Sequence, residues 1–98
     1  MRILAGKYKS KKIQTINNSN TRPMMSKVRE AIFNSLQFLI EDKEVLDLYA
    51  GSGSLGIEAI SRGAKFVTFV EKSKECIDVL NKNLKITKAG RRYLFSKN

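Results

Sequence analysis

The stretch VLDLYAGSGSLGIEA, residues 45–59, is the clearest indication of how this chain folds. A short apolar run leads into a turn with glycines at positions 51, 53 and 56, and the residues after the turn have the apolar spacing of a helix. Glycine allows backbone conformations that side chains forbid, and it lets the main chain approach a ligand closely. The stretch therefore predicts a strand, a glycine-rich loop and a helix whose free N-terminal amides face a nucleotide-like ligand.

A second strand and an acidic residue follow this loop. Residues 66–70 are almost continuously apolar, as strands buried on both faces tend to be, and Glu71 comes directly after them. Glu71 lies 20 positions after Gly51, about the separation at which dinucleotide-binding folds place the acid that binds ribose hydroxyls. The structural alternative is that the glycines only form a tight turn between strand and helix.

The order of elements from residue 45 onward predicts the fold class. Helical spacing covers residues 54–62 and 74–84, and Gly63 suits the left-handed position that ends the first of these helices. A third strand is expected to start at residues 93–95. The resulting β-α-β-α-β order predicts an α/β fold with a parallel sheet and right-handed crossovers.

Residues 1–40 have a different pattern. Apolar segments at 2–5 and 13–16, joined by a lysine-rich connection, predict a β-hairpin. A helical pattern follows Pro23, with Ser26 as the expected N-cap. In this pattern one face of the helix carries Val28, Ala31, Ile32, Ser35, Leu36 and Leu39. The predicted organisation is a basic hairpin and helix over 1–40 and an α/β part over 41–98.

The residue types around the loop leave two ligands open. A dinucleotide would bring a pyrophosphate to the helix N-terminus. S-adenosylmethionine has no phosphate, and its cationic sulfonium and amino acid group favour an acid near the loop. Asp47, inside the apolar strand and four residues before Gly51, supplies such an acid. It favours the methyl donor without deciding the choice, because a solvated acid at a strand end is the structural alternative.

The net charge of +10 is concentrated at the two ends of the chain. Residues 1–29 carry eight basic side chains and residues 82–98 carry six, with no acid in either segment. All nine acidic residues lie between them. This distribution predicts a polyanionic partner, most simply nucleic acid. The alternative is a basic surface that has no partner.

Several classes of protein do not fit the composition. The chain has no histidine and a single cysteine, Cys76, so we expect neither a metal site nor a disulfide framework. No apolar run approaches the roughly 20 residues that span a membrane, and the first residues lack the apolar core of a signal peptide. We therefore expect a cytoplasmic protein with no membrane partner.

Three separated motifs resemble the bacterial 16S rRNA guanine-N2 methyltransferase family, the RsmD-like enzymes. They are residues 45–64 together with 69–72, the opening residues 1–9, and residues 21–23 together with 28–34. The resemblance covers nearly the whole chain. It implies a Rossmann-like class I methyltransferase fold, S-adenosylmethionine as cofactor, and ribosomal RNA or the small ribosomal subunit as partner.

The resemblance also assigns residues to the donor and to the RNA. The methionine end of the donor would be lined by residues of the loop and its strand, namely Asp47, Ala50, Gly51, Ser52 and Gly53. Glu71 would hold both ribose hydroxyls, and Lys72 would flank the adenine. Closure over the donor would come from Thr21, Arg22 and Pro23. The RNA backbone would meet the basic side chains Arg2, Lys7, Lys9, Lys11 and Lys12.

One family motif is absent from the sequence. In the family, Asn or Asp, then Pro-Pro, then Tyr or Phe orients the target amine and stacks on the base. This sequence has one proline, so we expect it to hold no catalytic residue and to be a truncated, N-terminal part of a methyltransferase. We expect no methyl transfer by this chain alone. A non-catalytic basic RNA-binding module and a dinucleotide-binding oxidoreductase fragment remain alternatives.

Overall fold

The structure is a computed structural model that describes residues 1–16, 26–48, 50–88 and 93–96. Three helices and three strands alternate along the chain from residue 26 onward. Their bounds are α1 Ser26–Leu36, β1 Glu44–Leu48, α2 Ser54–Ser61, β2 Phe66–Val70, α3 Lys74–Thr87 and β3 Tyr93–Ser96. The predicted β-α-β-α-β order from residue 45 is therefore confirmed. Among the described residues, no helix has the length and apolar character needed to cross a bilayer.

The three strands form one parallel sheet in the order β1-β2-β3. Asp47 of β1 pairs in register with Phe69 of β2, and Phe69 in turn pairs with Phe95 of β3. The carboxyl ends of parallel strands meet at one edge of a sheet, so the loops after β1 and β2 lie next to each other. This edge is where the predicted ligand site falls.

Helix α2 packs very closely on the sheet. A Cβ atom on Gly56 would lie 2.2 Å from Cε1 of Phe69, a ring that is fully buried. The absence of a side chain at this position therefore sets the distance between the helix and β2. Gly63, with a φ of 102°, follows the end of α2 in the left-handed conformation that the sequence predicted.

The predicted hairpin is present but shorter than predicted. Residues 1–16, called the arm below, pair at the antiparallel bridge between Arg2 and Lys12, where the Ile3 amide donates to the Lys11 carbonyl at 3.0 Å and the Ile13 amide donates to the Met1 carbonyl at 2.8 Å. The pairing ends there because the arm then contacts α2. The amides of Leu4 and Ala5 donate to the Glu58 carboxylate at 2.9 and 3.1 Å.

The apolar face of α1 is largely exposed. Val28 is 48% exposed and Leu39, which lies beyond the helix end, is 59% exposed. The face that packs inward carries Arg29, fully buried, and Phe33. Contacts with α2 and the residue after it turn this face inward. Glu58 lies 3.9 Å from the Arg29 guanidinium, and the Arg62 guanidinium lies over the Phe33 ring, 4.9 Å from its centroid.

The exposed side of α1 faces a shallow groove. Its lining is almost entirely apolar and includes Ile32 and Leu36 of α1, Leu46 of β1 and Leu55 of α2. The volume of the groove is about 150 Å³. The periodic stripe of α1 thus contacts apolar neighbours without being enclosed by them, and periodicity alone does not distinguish these two situations.

The capping role of Ser26 and the division of the chain into two parts remain predictions. Ser26 is the first helical residue, which puts the capping position outside the described residues. One buried cluster contains Ile3, Ile13, Phe33 and Ile40 from the first predicted part together with Ile57 and Leu80 from the second. The two parts of the chain therefore share a core.

Candidate functional site

The loop between β1 and α2 adopts a conformation that requires glycine. Gly51 and Gly53 have φ values of 59° and 86°, in the left-handed region. The Gly53 amide donates to the Ala50 carbonyl at 2.8 Å, which closes a tight turn. A Cβ atom on Gly53 would lie 2.0 Å from Cδ1 of Leu80, so α3 also excludes a side chain there. The predicted strand–loop–helix unit is confirmed.

Glu71 joins the two loops at the edge of the sheet. Its Oε1 atom accepts from the Gly51 amide at 2.8 Å. Its Oε2 atom accepts from the amides of Lys72 and Ser73 at 3.1 and 2.9 Å. A carboxylate has about four lone-pair sites, so Glu71 keeps acceptor capacity for a further donor such as a hydroxyl group. The geometry fixes the carboxylate beside the glycine loop before any ligand binds.

Asp47 lies beneath the same loop and is 7% exposed. Its Oδ2 atom accepts from the Gly56 amide at 3.0 Å, which pairs one of the free amides at the start of α2. Burial raises the pKa of Asp47 to about 6, the Gly56 hydrogen bond opposes that rise, and the charge of Glu71 adds to it. The alternative of a solvated acid at a strand end is therefore wrong.

Asn83 is a residue of the site that sequence reasoning missed. It is fully buried on α3, and its side-chain amide contacts both the arm and the glycine loop. A signal was present in the sequence, because a polar residue stands between Leu80 and Leu84 in the apolar stripe of this helix. Buried polar side chains in such a position need partners from other segments.

A second set of contacts, also missed, holds the arm on α2. The carboxylate of Glu58 is fully buried and pairs with Arg62 at 2.8 Å as well as with the arm amides of Leu4 and Ala5. Ser61, one turn further along the helix, accepts from the Tyr8 amide at 2.9 Å and donates to the Ala5 carbonyl at 2.6 Å. The C-terminal half of α2 therefore binds the arm through side-chain hydrogen bonds.

The structure brings together only part of the predicted site. The loop residues, Asp47 and Glu71 lie at one edge of the sheet, and Lys72 is exposed beside them. The predicted RNA-contacting residues, Arg2, Lys7, Lys9, Lys11 and Lys12, have exposed side chains on the arm. Thr21, Arg22 and Pro23, predicted to close over the donor, lie outside the described residues.

The geometry defines a class of protein. A parallel α/β sheet with a glycine loop after its first strand and an acid after its second is the Rossmann-like domain of class I methyltransferases. More particularly, the chain belongs to the family described as "Conserved hypothetical protein 95", which matches residues 1–97. The resemblance to the rRNA methyltransferase family is thereby confirmed, since curated relatives carry that name.

Two curated relatives and one solved structure illustrate the similarity. The "Ribosomal RNA small subunit methyltransferase D" of Haemophilus influenzae is 46% identical over 90 residues, which cover 92% of this chain and 47% of that protein. The protein of the same name from Escherichia coli K12 is 40% identical over 90 residues, 92% of this chain and 46% of its own length. The solved structure of Escherichia coli yhhF, described as a candidate methyltransferase, has a TM-score of 0.86 and 36% identity, covering 100% of this chain and 52% of that one. The chain thus spans about half the length of the curated relatives it matches.

Proposed function

We propose that this chain is the donor-binding part of an S-adenosylmethionine-dependent rRNA methyltransferase. The observation that carries the proposal is the position of the Glu71 carboxylate, held against the Gly51 amide with acceptor capacity to spare. Family membership and the names of the curated relatives support the same reaction class. A cytoplasmic location follows from an rRNA substrate.

The described residues fit the chemical groups of the donor. Glu71 keeps about one lone-pair site, on Oε1, to accept a hydrogen bond from a ribose hydroxyl, and we assign contact with the adenine to Lys72, which follows it and is exposed. Asp47, Ala50, Gly51, Ser52 and Gly53 provide the end of the site for the methionine group. When bound, S-adenosylmethionine supplies a methyl group on a positively charged sulfur. The loop glycines adopt the left-handed conformation that turns the backbone at this end of the site.

The local charge favours this donor over a dinucleotide. Asp47 and Glu71 flank the loop, and the negative charge of Glu71 adds to the rise that burial causes in the pKa of Asp47, so a further negative charge beside them is unfavourable. A pyrophosphate would place two further negative charges beside them. A ligand with a sulfonium and an ammonium group gains from the same field. The oxidoreductase alternative is therefore the weaker one.

The arm provides the RNA-binding part of the proposal. Its exposed lysines lie on a segment that α2 holds through Glu58 and Ser61, so the charges are fixed relative to the donor loop at the other end of the helix. Phosphate contacts of this kind position a protein on RNA without reading its sequence. The partner that we propose is ribosomal RNA of the small subunit.

Methyl transfer itself needs residues that this sequence does not contain. A poor nucleophile such as an exocyclic amine has to be oriented in line with the methyl group. The sequence has one proline and hence no Pro-Pro motif to do so. We therefore propose that the chain binds donor and RNA and transfers no methyl group alone.

A calorimetric titration with S-adenosylmethionine tests the proposal, with NAD titrated separately as the competing ligand. We expect saturable binding of S-adenosylmethionine alone, lost in Glu71→Ala. The matched control is Glu75→Ala, which removes an exposed acid in the first turn of α3 at the same net charge. Thermal melts of both variants check that they fold. Binding of NAD instead, or of neither ligand by folded protein, would refute the proposal.

The exposed lysines of the arm support a second candidate, a non-catalytic RNA-binding module. Such a module would bind structured RNA with a steep dependence on salt, as the proposed enzyme part would. The two differ in their response to the methyl donor. RNA binding by a chain that shows no affinity for S-adenosylmethionine would favour the second candidate.

A further inference from the structure

Asn83 is buried in a place where asparagine is unfavourable. It lies within α3, in the stripe that also buries Cys76, Leu80, Leu84 and Thr87, and none of its surface is exposed. Asparagine has a lower helix propensity than apolar straight-chain residues, and burial of an amide costs free energy unless it is hydrogen-bonded. Its partners therefore account for its presence.

Three hydrogen bonds connect this side chain to two other segments. The Oδ1 atom accepts from the Gln14 amide at 2.7 Å, and the Nδ2 atom donates to the Gln14 carbonyl at 2.9 Å. The second N–H of Nδ2 donates to the Ser52 carbonyl at 2.8 Å. The side chain thus pairs with one residue of the arm as a neighbouring strand would, and it holds the glycine loop with its remaining donor.

The hydrogen bond to Ser52 restrains a backbone segment that contains two glycines. Ser52 stands between two glycines that both have positive φ, and glycine has more conformational freedom to lose than any other residue. Its carbonyl belongs to the same peptide unit as the Gly53 amide, which donates to Ala50. Asn83 and Ala50 therefore hold this peptide unit from opposite sides.

Two of the peptide units in the loop are held by two different elements. Glu71, after β2, fixes the peptide unit that contains the Gly51 amide, and Asn83, on α3, fixes the one after Ser52. Glu71 is also the residue proposed to touch the donor. Asn83 lies behind the loop and acts only through backbone groups.

We infer that Asn83 is a positioning residue for donor binding, which holds the glycine loop in its receptive conformation and couples it to the arm. The inference rests on the proposed function, since it concerns the same donor site. A preorganised loop binds with less loss of conformational entropy than one that has to be ordered by its ligand. The role of Asn83 is therefore to remove that cost in advance.

The test compares Asn83→Asp with Thr87→Val in the full chain. Aspartate keeps the shape and the acceptor for the Gln14 amide, but its carboxylate has no hydrogen to donate to the carbonyls of Ser52 and Gln14. Thr87 is buried one turn later, and its hydroxyl donates only within α3, to Leu84 at 3.0 Å. If Asn83→Asp does not fold, Asn83→Ser replaces it, because serine is too short to span the distance to Ser52 and Gln14 together.

Two quantities are measured at equal temperature below each melting point. The first is the hydrogen-exchange rate of the Gly53 amide, with the amides of β2 as a reference for global opening. The second is the Kd for S-adenosylmethionine. For Asn83→Asp we expect about 10-fold faster exchange at Gly53 and about 10-fold weaker donor binding, with β2 unchanged. For Thr87→Val we expect less than about a 2-fold change in either quantity.

The outcomes separate this inference from the proposed function. Wild-type protein that does not bind S-adenosylmethionine refutes the proposed function, and with it the donor-binding role of Asn83. If the wild type binds, an unchanged Gly53 rate or an unchanged Kd in Asn83→Asp refutes the inference alone. Equal losses in Asn83→Asp and Thr87→Val would also refute it, because they would show a merely structural role.

Discussion

The carboxylate of Glu71 accepts a hydrogen bond from the backbone amide of Gly51 at 2.8 Å. This bond joins the loop after β1 to the loop after β2, two segments that are 20 residues apart in the sequence. It means that the acid and the glycine loop are assembled by the fold and do not depend on a ligand to bring them together. The same bond leaves Glu71 able to accept hydrogen from a hydroxyl group.

Asp47→Asn is expected to change the pH dependence of stability. Burial raises the pKa of Asp47 from about 3.8 to about 6, so the folded chain binds this proton more tightly than the unfolded chain does. The stabilising contribution of the neutral form is fully present below pH 4 and is lost as the pH rises through 6. Asparagine does not ionise, so the variant should gain roughly 3 kcal/mol relative to wild type between pH 4 and pH 7.5. Urea denaturation at several pH values measures this, and parallel curves would contradict it.

The same substitution should weaken donor binding at pH 7.5. The proposed site uses the ionised carboxylate of Asp47 near the positively charged methionine end of the donor. At pH 7.5 we expect the Kd of Asp47→Asn for S-adenosylmethionine to be about 10-fold higher than that of wild type. Unchanged affinity by calorimetry would show that Asp47 only caps α2.

Gly56→Ala is expected to destabilise the fold although alanine is the better helix former. The added methyl group would lie 2.2 Å from the Phe69 ring and 3.0 Å from Val67. Forcing extra volume into a packed core costs about 1–3 kcal/mol. Combining it with Phe69→Leu should restore part of this loss, giving a coupling between the two sites in a double-mutant cycle. Strict additivity of the two changes in unfolding free energy would contradict the packing explanation.

Glu58→Gln is expected to loosen the arm. The change removes the charge that Arg62 and Arg29 pair with in a buried setting, where loss of one partner typically costs about 3–5 kcal/mol. We expect a loss at the lower end of that range, together with faster hydrogen exchange at Leu4 and Ala5. Glu41→Gln, at an exposed position, is the control. A similar effect of both substitutions would show that Glu58 contributes only as surface charge.

Removal of two arm lysines is expected to reduce the salt dependence of RNA binding. Each phosphate contact contributes roughly one unit to the slope of log K against log salt concentration. Lys9→Ala combined with Lys11→Ala should therefore lower the slope by up to about 2 for fragments of small-subunit rRNA. Lys65→Ala, outside the arm, should leave it nearly unchanged. Equal effects of both changes would mean that the arm has no special role in RNA binding.

The parts of the fold that depend on local pattern could be predicted from the sequence. The strand Phe66–Val70 has the predicted bounds, and the glycine loop and Gly63 have the backbone conformations that their residue types indicate. Strand periodicity and glycine placement act within a few residues, so a single segment carries the whole signal.

The parts that depend on contacts between distant segments could not be predicted. The inward face of α1 is fixed by Arg29, whose charge hides it from an apolar periodicity, and its partner Glu58 is 29 positions away in the sequence. The strand pairing of the arm is short because the arm also makes hydrogen bonds to α2, and Asn83 contacts Gln14, which is 69 positions away in the sequence. In each case a buried polar group selects its partner through tertiary packing, which no local pattern encodes.

We propose that the methyl donor binds at the glycine loop, against Glu71. This proposal is tested most directly by nuclear magnetic resonance of the ¹⁵N-labelled chain during titration with S-adenosylmethionine. We predict saturable shifts of the Gly51 and Gly53 amide resonances, with those of Lys9 and Lys11 nearly unchanged, because Gly51 shares its hydrogen bond with the acid that meets the ribose. Glycine-loop resonances that do not move, or shifts confined to the arm, would contradict the claim.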